Sequence, residues 1–197
     1  MSSSAFPYGM IPVNNQGAQY NSHGMVTVPI ADAYATSIYY GDVVKIASDG
    51  TIQKDTGTST LTPYGIFLGC EYIDPSLGYL YESNFWPAST TTGYTTWPKM
   101  PKARVLTFPW GVFQIQANGS VALADVGANA AIVQTAGSSV FGRSRNALNA
   151  STINTTSTLP LRIIGIVDNP NNAPGDTYTD VLVVFNNNQQ LLTATGV

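Results

Sequence analysis

The sequence is short of reactive side chains. One cysteine, Cys70, and one histidine, His23, occur in 197 residues. A single thiol rules out an intrachain disulfide. One residue of each kind is too few for an ordinary zinc site. A Ser-His-Asp or Cys-His relay would have to use His23, which lies in a polar N-terminal stretch. A general base must be held within about 3 Å of its partner, and a stretch of that kind holds it poorly. No phosphate-binding loop, dinucleotide fingerprint or nucleophile elbow is present. The expectation is a protein that is not an enzyme, with no catalytic residue, no cofactor and no metal.

Charge is scarce as well. Asp, Glu, Lys and Arg make up 10% of the chain, against about 25% in an average soluble domain. The net charge is −3. The one basic cluster, Lys99, Lys102 and Arg104, lies among prolines and reads as a solvated loop or a salt-bridge donor. It is too small for the footprint of a nucleic-acid partner. No apolar run approaches the roughly 20 residues that cross a bilayer. The N-terminus lacks a basic segment followed by an apolar one. Neither a nucleic acid nor a membrane is expected as a partner, and the chain reads as made in a cytoplasm and kept soluble until it assembles. Polarity comes from Thr, Ser, Asn and Gln, which suits a surface covered by neighbours.

Helical periodicity is weak, and only about Asp125 to Val133 would one short helix fit. Apolar residues form 44% of the chain, in short runs rich in Val, Ile, Tyr and Phe that 18 glycines and 12 prolines interrupt. Several runs alternate with the period of a strand. This predicts an all-β protein, a barrel or sandwich of many short strands. Residues 1–24 are rich in Ser, Asn, Gln, Gly and Pro and read as an extended N-terminal arm. Residues 25–188 form the β domain, with an aromatic-rich insertion over 72–110, and 189–197 form a tail.

A weak repeat divides the domain into two related halves. Gly41 to Ile52 reads as a hairpin with Asp49-Gly50 at its turn, and Val112 to Val121 repeats the pattern with Asn118-Gly119. Each is followed by a continuous apolar strand with a glycine inside it, Gly69 in one and Gly165 in the other. Such strands are buried on both faces or bulge at the glycine.

Two other constellations could carry chemistry. Glu71, Asp74 and Glu82 lie near many aromatics, as paired carboxylates in a sugar cleft would; solvent-facing carboxylates over an aromatic core are favoured. Asp168 to Asp176 offers oxygen ligands for calcium, but Asn-Pro and Pro-Gly make it a turn first. Aromatics dominate buried interfaces, so the interface candidates are Phe6, Tyr8, Tyr20, Trp86, Trp97 and Trp110. Core is the better reading for Trp110, which abuts the second hairpin.

The segments Gly41-Asp42-Val43-Val44-Lys45, Ser48-Asp49-Gly50-Thr51-Ile52 and Tyr64 to Gly69 resemble, in that order, the opening of phage head-decoration proteins. Tyr64 to Trp86, Leu159 to Gly165 and Asp180 to Asn187 are similar to structural proteins of podovirus-type and cyanophage-type tailed phages. The resemblance covers about residues 28–188. It implies a capsid decoration (cement) protein on the outer surface of the virion, made in a bacterial host. Its partner would be the major capsid protein, which it would bridge as a homo-oligomer, a trimer rather than a dimer. A receptor- or glycan-binding module of the phage is the alternative. Deleting 1–24 is expected to weaken head binding while leaving the domain folded.

Overall fold

Apolar runs broken by Gly, Pro and Asn turns fold into short strands. The computed structural model describes residues 4–15, 24–107 and 111–190. In chain order the strands are β1 (Ile11–Asn15), β2 (Met25–Pro29), β3 (Ile38–Tyr39), β4 (Val43–Ile46), β5 (Ile52–Lys54), β6 (Gly65–Ile73) and β7 (Leu80–Ser83). They continue as β8 (Phe85–Trp86), β9 (Lys102–Leu106), β10 (Gly111–Gln116), β11 (Asn129–Val133), β12 (Ala147–Asn154), β13 (Leu161–Ile166) and β14 (Asp180–Phe185). The protein is all-β. The helix expected near Asp125 shrinks to a 3-10 turn at Leu123–Asp125, and most of the remaining stretch is β11. Its residues Ala130 to Ile132 are buried in a sheet, and tertiary burial overrides a weak local period.

Two related units make up the body. The first sheet has the order β2-β9-β6-β4-β5, with β7 added beside β6. The second has β1-β10-β14-β13-β11-β12. Without β1 and β7 the two orders are the same: a leading strand, the last strand, a central strand, then a hairpin. The match extends to single hydrogen bonds. Gly41 N–H donates to Phe67 O at 2.9 Å, and Gly127 N–H to Ile163 O at 2.8 Å. Phe67 N–H donates to Asp42 O at 3.0 Å, and Ile163 N–H to Ala128 O at 2.9 Å. Gly41 and Gly127 both hold positive φ, 87° and 97°, which L side chains resist. The central strands β6 and β13 both bulge at their glycine, between Phe67 and Gly69 and between Ile163 and Gly165.

Among the described residues neither sheet closes into a barrel. In each, one isolated parallel bridge ties the end of the leading strand to the outer strand of the hairpin: Ile30 to Ile52, and Ala117 to Leu148.

The repeat is therefore real, but its second hairpin is not the expected one. β4–β5 corresponds to β11–β12, whose connection runs through residues 134–146. Val112 to Val121 does not turn back at Asn118-Gly119. Instead β10 pairs with β1 and β14, and Val121 is drawn into the core with its N–H on Thr179 Oγ1 at 3.1 Å. Paired neighbours on both sides of β10 outcompete a local turn.

Two apolar cores follow. One lies inside the first unit, around Phe67, Val105, Ile38 and Trp86. The other fills the second unit around Phe113, Ile163 and Val183, and takes in Val43, Ile66 and Leu106 from the first. Alternation along a strand explains this sharing: Ile66 and Phe67 are neighbours that serve different cores. The two units are thus joined by apolar packing.

The expected arm is not free over residues 4–15. Met10 is fully buried, β1 extends the second sheet through β10, and Gly9 N–H reaches Asn146 O at 3.2 Å. A methionine side chain inside the core outweighs the polar composition around it. Of the expected tail, Gln189 is docked, its Oε1 accepting from Ile46 N–H at 2.9 Å. Residues 191–197 lie outside the described residues.

Candidate functional site

The polar centre of the molecule is Asp42, at the entrance to β4 and fully buried. One oxygen accepts from Ser144 Oγ at 2.6 Å and Asn146 Nδ2 at 3.1 Å. The other accepts from Tyr39 N–H at 2.9 Å and pairs with Lys54 Nζ at 3.0 Å. A buried carboxylate is tolerated only when its lone pairs are satisfied, as here. Its partners come from both units, so Asp42 joins the β4–β5 hairpin to the loop before β12. Sequence reasoning missed this junction. Its one signal was an acidic residue leading into an apolar strand after a glycine.

The N-terminal segment lies beside it. Gly9 is held so close that a Cβ there would come within 2.5 Å of Ser144 Cβ. Tyr8 Oη donates to Asp180 Oδ1 at 3.0 Å and accepts from Gln114 Nε2 at 2.8 Å. Burial raises the Tyr8 hydroxyl above its usual range, and the Asp180 carboxylate adds to the shift. Burial likewise pushes the Asp180 carboxyl up, against hydrogen bonds from Tyr8 and Gln116 that pull it down. Phe6 N–H donates to Gln116 Oε1 at 2.7 Å, while the Phe6 ring is 72% exposed. Phe6 and Tyr8 are thus fixed at the backbone or hydroxyl, with only the Phe6 ring bare.

Beside this segment opens a cleft of about 680 Å³, lined by Ala5 to Tyr8 and by Thr135, Ser138, Phe141 and Arg143 to Arg145. Residues 138–143 form a tight loop, with Ser138 N–H on Arg143 O at 2.9 Å. Val140 and Phe141 stand exposed on that loop.

The other interface candidates separate. Trp86 is fully buried, packed edge-on against Tyr72 at 5.4 Å between centroids, with Nε1–H donating to Tyr34 O at 3.3 Å. It is a core residue, and its nomination as an interface anchor is corrected. Trp97 is 60% exposed, with Lys102 Nζ 5.5 Å from its ring centre. Tyr20, Trp110 and His23 lie outside the described residues.

Near Trp86, the β6–β7 hairpin carries a second bare surface that the sequence reading did not single out: Leu77, Tyr79, Leu80 and Tyr81 are all exposed. Asp74 shapes its tip by accepting from Ser76 N–H at 2.8 Å and Leu77 N–H at 2.9 Å.

The remaining chemistry is quiet. Glu71 and Glu82 sit opposite each other on β6 and β7, and each meets a cation: Lys102 at 3.6 Å and Arg104 at 3.4 Å. Asp168 to Asp176 is a turn, with Asn169 Oδ1 accepting from Asn171 N–H and Asp176 Oδ2 from Ala173 N–H. No group of three or more His, Cys, Asp or Glu side chains is arranged to hold a metal ion among the described residues. Burial pushes the Cys70 thiol up to about 12, so it stays protonated, donating to Phe85 O at 3.3 Å. No helix among the described residues is long and apolar enough to cross a membrane.

Set against protein-family models, curated proteins and solved structures, the chain gives no match.

Proposed function

We propose that this protein is a non-enzymatic capsid decoration protein of a tailed phage, binding the outer surface of the head and bridging major capsid subunits. The observation that carries the reading is the placement of the exposed apolar side chains. One group, Leu77, Tyr79, Leu80 and Tyr81, belongs to the first unit. A second, Val140 and Phe141 with Phe6, lies on the second unit and the segment docked to it, apart from single exposed groups such as Met25 and Leu123. A bridge needs two contact surfaces on a body that does not yield between them. The shared core and the Asp42 junction supply that stiffness. Bare aromatic and aliphatic groups on a sparsely charged surface favour contact with another protein. The resemblance of the segments from Gly41 to Gly69 to the opening of head-decoration proteins, and of later segments up to Asn187 to structural proteins of tailed phages, points the same way.

In this reading the copies act as a homo-oligomer, a trimer before a dimer, and bind the expanded shell better than its precursor. Such preference stabilises the mature head by mass action. The test is co-sedimentation of the purified protein with expanded and unexpanded heads. Saturable binding to expanded heads, lost in a Leu77→Ser/Tyr79→Ser variant that still melts like the parent, supports the proposal. Equal failure to bind both head forms rejects it.

The exposed Trp97, close to Tyr94 in sequence, favours a second reading as a glycan-binding module, since a flat ring can stack on a sugar. Binding to host polysaccharide without any head present, abolished by Trp97→Ala, would select that reading.

A further inference from the structure

The cleft between the N-terminal segment and the 138–143 loop carries an inference of its own. Burial alternates along Arg143-Ser144-Arg145-Asn146: Ser144 and Asn146 are buried and the two arginines exposed. The inward pair both bond to Asp42 Oδ1, at 2.6 and 3.1 Å. Fixing the inward pair fixes the outward one, because successive side chains on an extended chain point to opposite sides. Arg143 and Arg145 therefore stand at the cleft on a backbone anchored to the buried centre.

Neither arginine makes an ion pair with a carboxylate among the described residues. Arg143 lies 6.0 Å from the Tyr40 ring centre. Lys45, Lys54, Lys102 and Arg104 have acidic partners, whereas Lys99 lies over the Tyr94 ring and Arg162 bonds to Asn129 Oδ1. In a chain of net charge −3, Arg143 and Arg145 are two cations without a carboxylate partner that line one cleft. Around them the cleft is apolar, with Phe6, Pro7 and Phe141 in its lining.

We propose that this cleft binds an extended peptide segment of a partner protein in which carboxylates alternate with apolar or aromatic side chains. Each part of the lining has its counterpart in such a segment. Guanidinium groups take carboxylates in paired hydrogen bonds. Phe6 and Phe141 offer bare rings to apolar side chains. The volume of about 680 Å³ exceeds what a lone small anion fills and falls among clefts that hold ligands of drug-like size. A nucleic acid would call for a broader basic surface than two arginines. The proposal concerns this cleft alone and holds whatever particle the partner belongs to.

The probe is a fluorescein-labelled hexapeptide of alternating Glu and Phe, measured by anisotropy on the full chain beside its Gln-Phe counterpart. The expected result is at least tenfold tighter binding of the acidic peptide, weakening as salt rises. Arg143→Gln/Arg145→Gln should bring both peptides to the same affinity. Because Arg143 also packs near Tyr40, the single Arg145→Gln variant, with its melting curve, keeps the test valid if the double variant fails to fold. Phe6→Ser/Phe141→Ser should weaken both peptides alike. Equal affinity for the two peptides, or unchanged acidic-peptide binding in Arg145→Gln, overturns the proposal. So does displacement of the acidic peptide by millimolar acetate, which would reveal a simple anion site.

Discussion

Ser144 Oγ donates a 2.6 Å hydrogen bond to Asp42 Oδ1 across 102 residues of sequence, and both residues are buried. This contact joins the entrance of β4 in one unit to the loop before β12 in the other. It also sets which way the neighbouring arginines face.

Asp42 is accordingly a sensitive polar position. Asp42→Ala leaves the Lys54 ammonium, which is only 10% exposed, without its partner, and it orphans donors on Ser144 and Asn146. Loss of one partner from a buried ion pair costs about 3–5 kcal/mol. Urea denaturation should show a midpoint lowered by that free energy divided by the slope, with the slope itself similar to the parent's.

The two bulge glycines should behave differently. At Gly69 φ is +144° and a Cβ would lie 2.9 Å from Ser83 O. Gly69→Ala should cost about 1–3 kcal/mol. At Gly165 the nearest atom to a Cβ is Leu182 Cδ1 at 3.8 Å, an ordinary contact. Gly165→Ala should stay within about 1 kcal/mol of the parent. Thermal melts of the two variants decide the matter.

Trp86 and Trp97 make a similar pair. Trp86→Ala empties a fully buried site and should lose about 3–5 kcal/mol. Trp97→Ala removes an exposed ring and should change stability by less than about 0.5 kcal/mol. Equal losses in chemical denaturation would contradict the assignment of Trp86 to the core.

Removing the N-terminal residues should destabilise the fold, contrary to what composition suggests. Truncation before Asn15 deletes Met10, a fully buried side chain, and the ladder of β1 on β10. Met10→Ala alone should cost about 2–5 kcal/mol. An unchanged melting temperature in the truncated protein would return residues 4–15 to the status of a free arm.

Asp180 gives a pH dependence. Burial raises its carboxyl above the ordinary 3.8, so between that value and the raised one the folded state binds more protons than the unfolded state. Stability then falls as pH rises through this window and levels off above it. Asp180→Asn removes the titration and keeps an acceptor for Tyr8. Its stability relative to the parent should be lowest below the window, rise across it, and stay constant above. A flat difference in melting temperature from pH 3 to 7 would refute this.

Much of the body was legible in the sequence. Alternating Val and Ile with Asp49-Gly50 gave the β4–β5 hairpin, since a strand's side-chain period and its turn chemistry are both local. Gly69 and Gly165 marked the bulges because an unsubstituted backbone inside an apolar run has few other uses. The second hairpin misled, because β11 and β12 are separated by a connection with no tight-turn signal. Asn118-Gly119 offered that signal in the wrong place.

The cleft was illegible for a related reason. Arg143 and Arg145 sit in a Ser- and Asn-rich stretch that looks featureless until Asp42 takes the two residues between and beyond them. Phe6 reads as an isolated aromatic, yet its neighbours across the cleft lie far away in sequence, Phe141 among them, 135 residues on.

By itself the amino-acid sequence determined the strand-rich character, the doubling of the chain into two units and the scarcity of reactive groups. All three follow from composition and short-range periodicity. Only the tertiary structure decided which hairpin answers to β4–β5, that Met10 and Trp86 are interior, and that Asp42 meets Ser144 and Asn146. Those outcomes depend on contacts between residues far apart in the chain, where burial of apolar area and satisfaction of a buried carboxylate outweigh local preference.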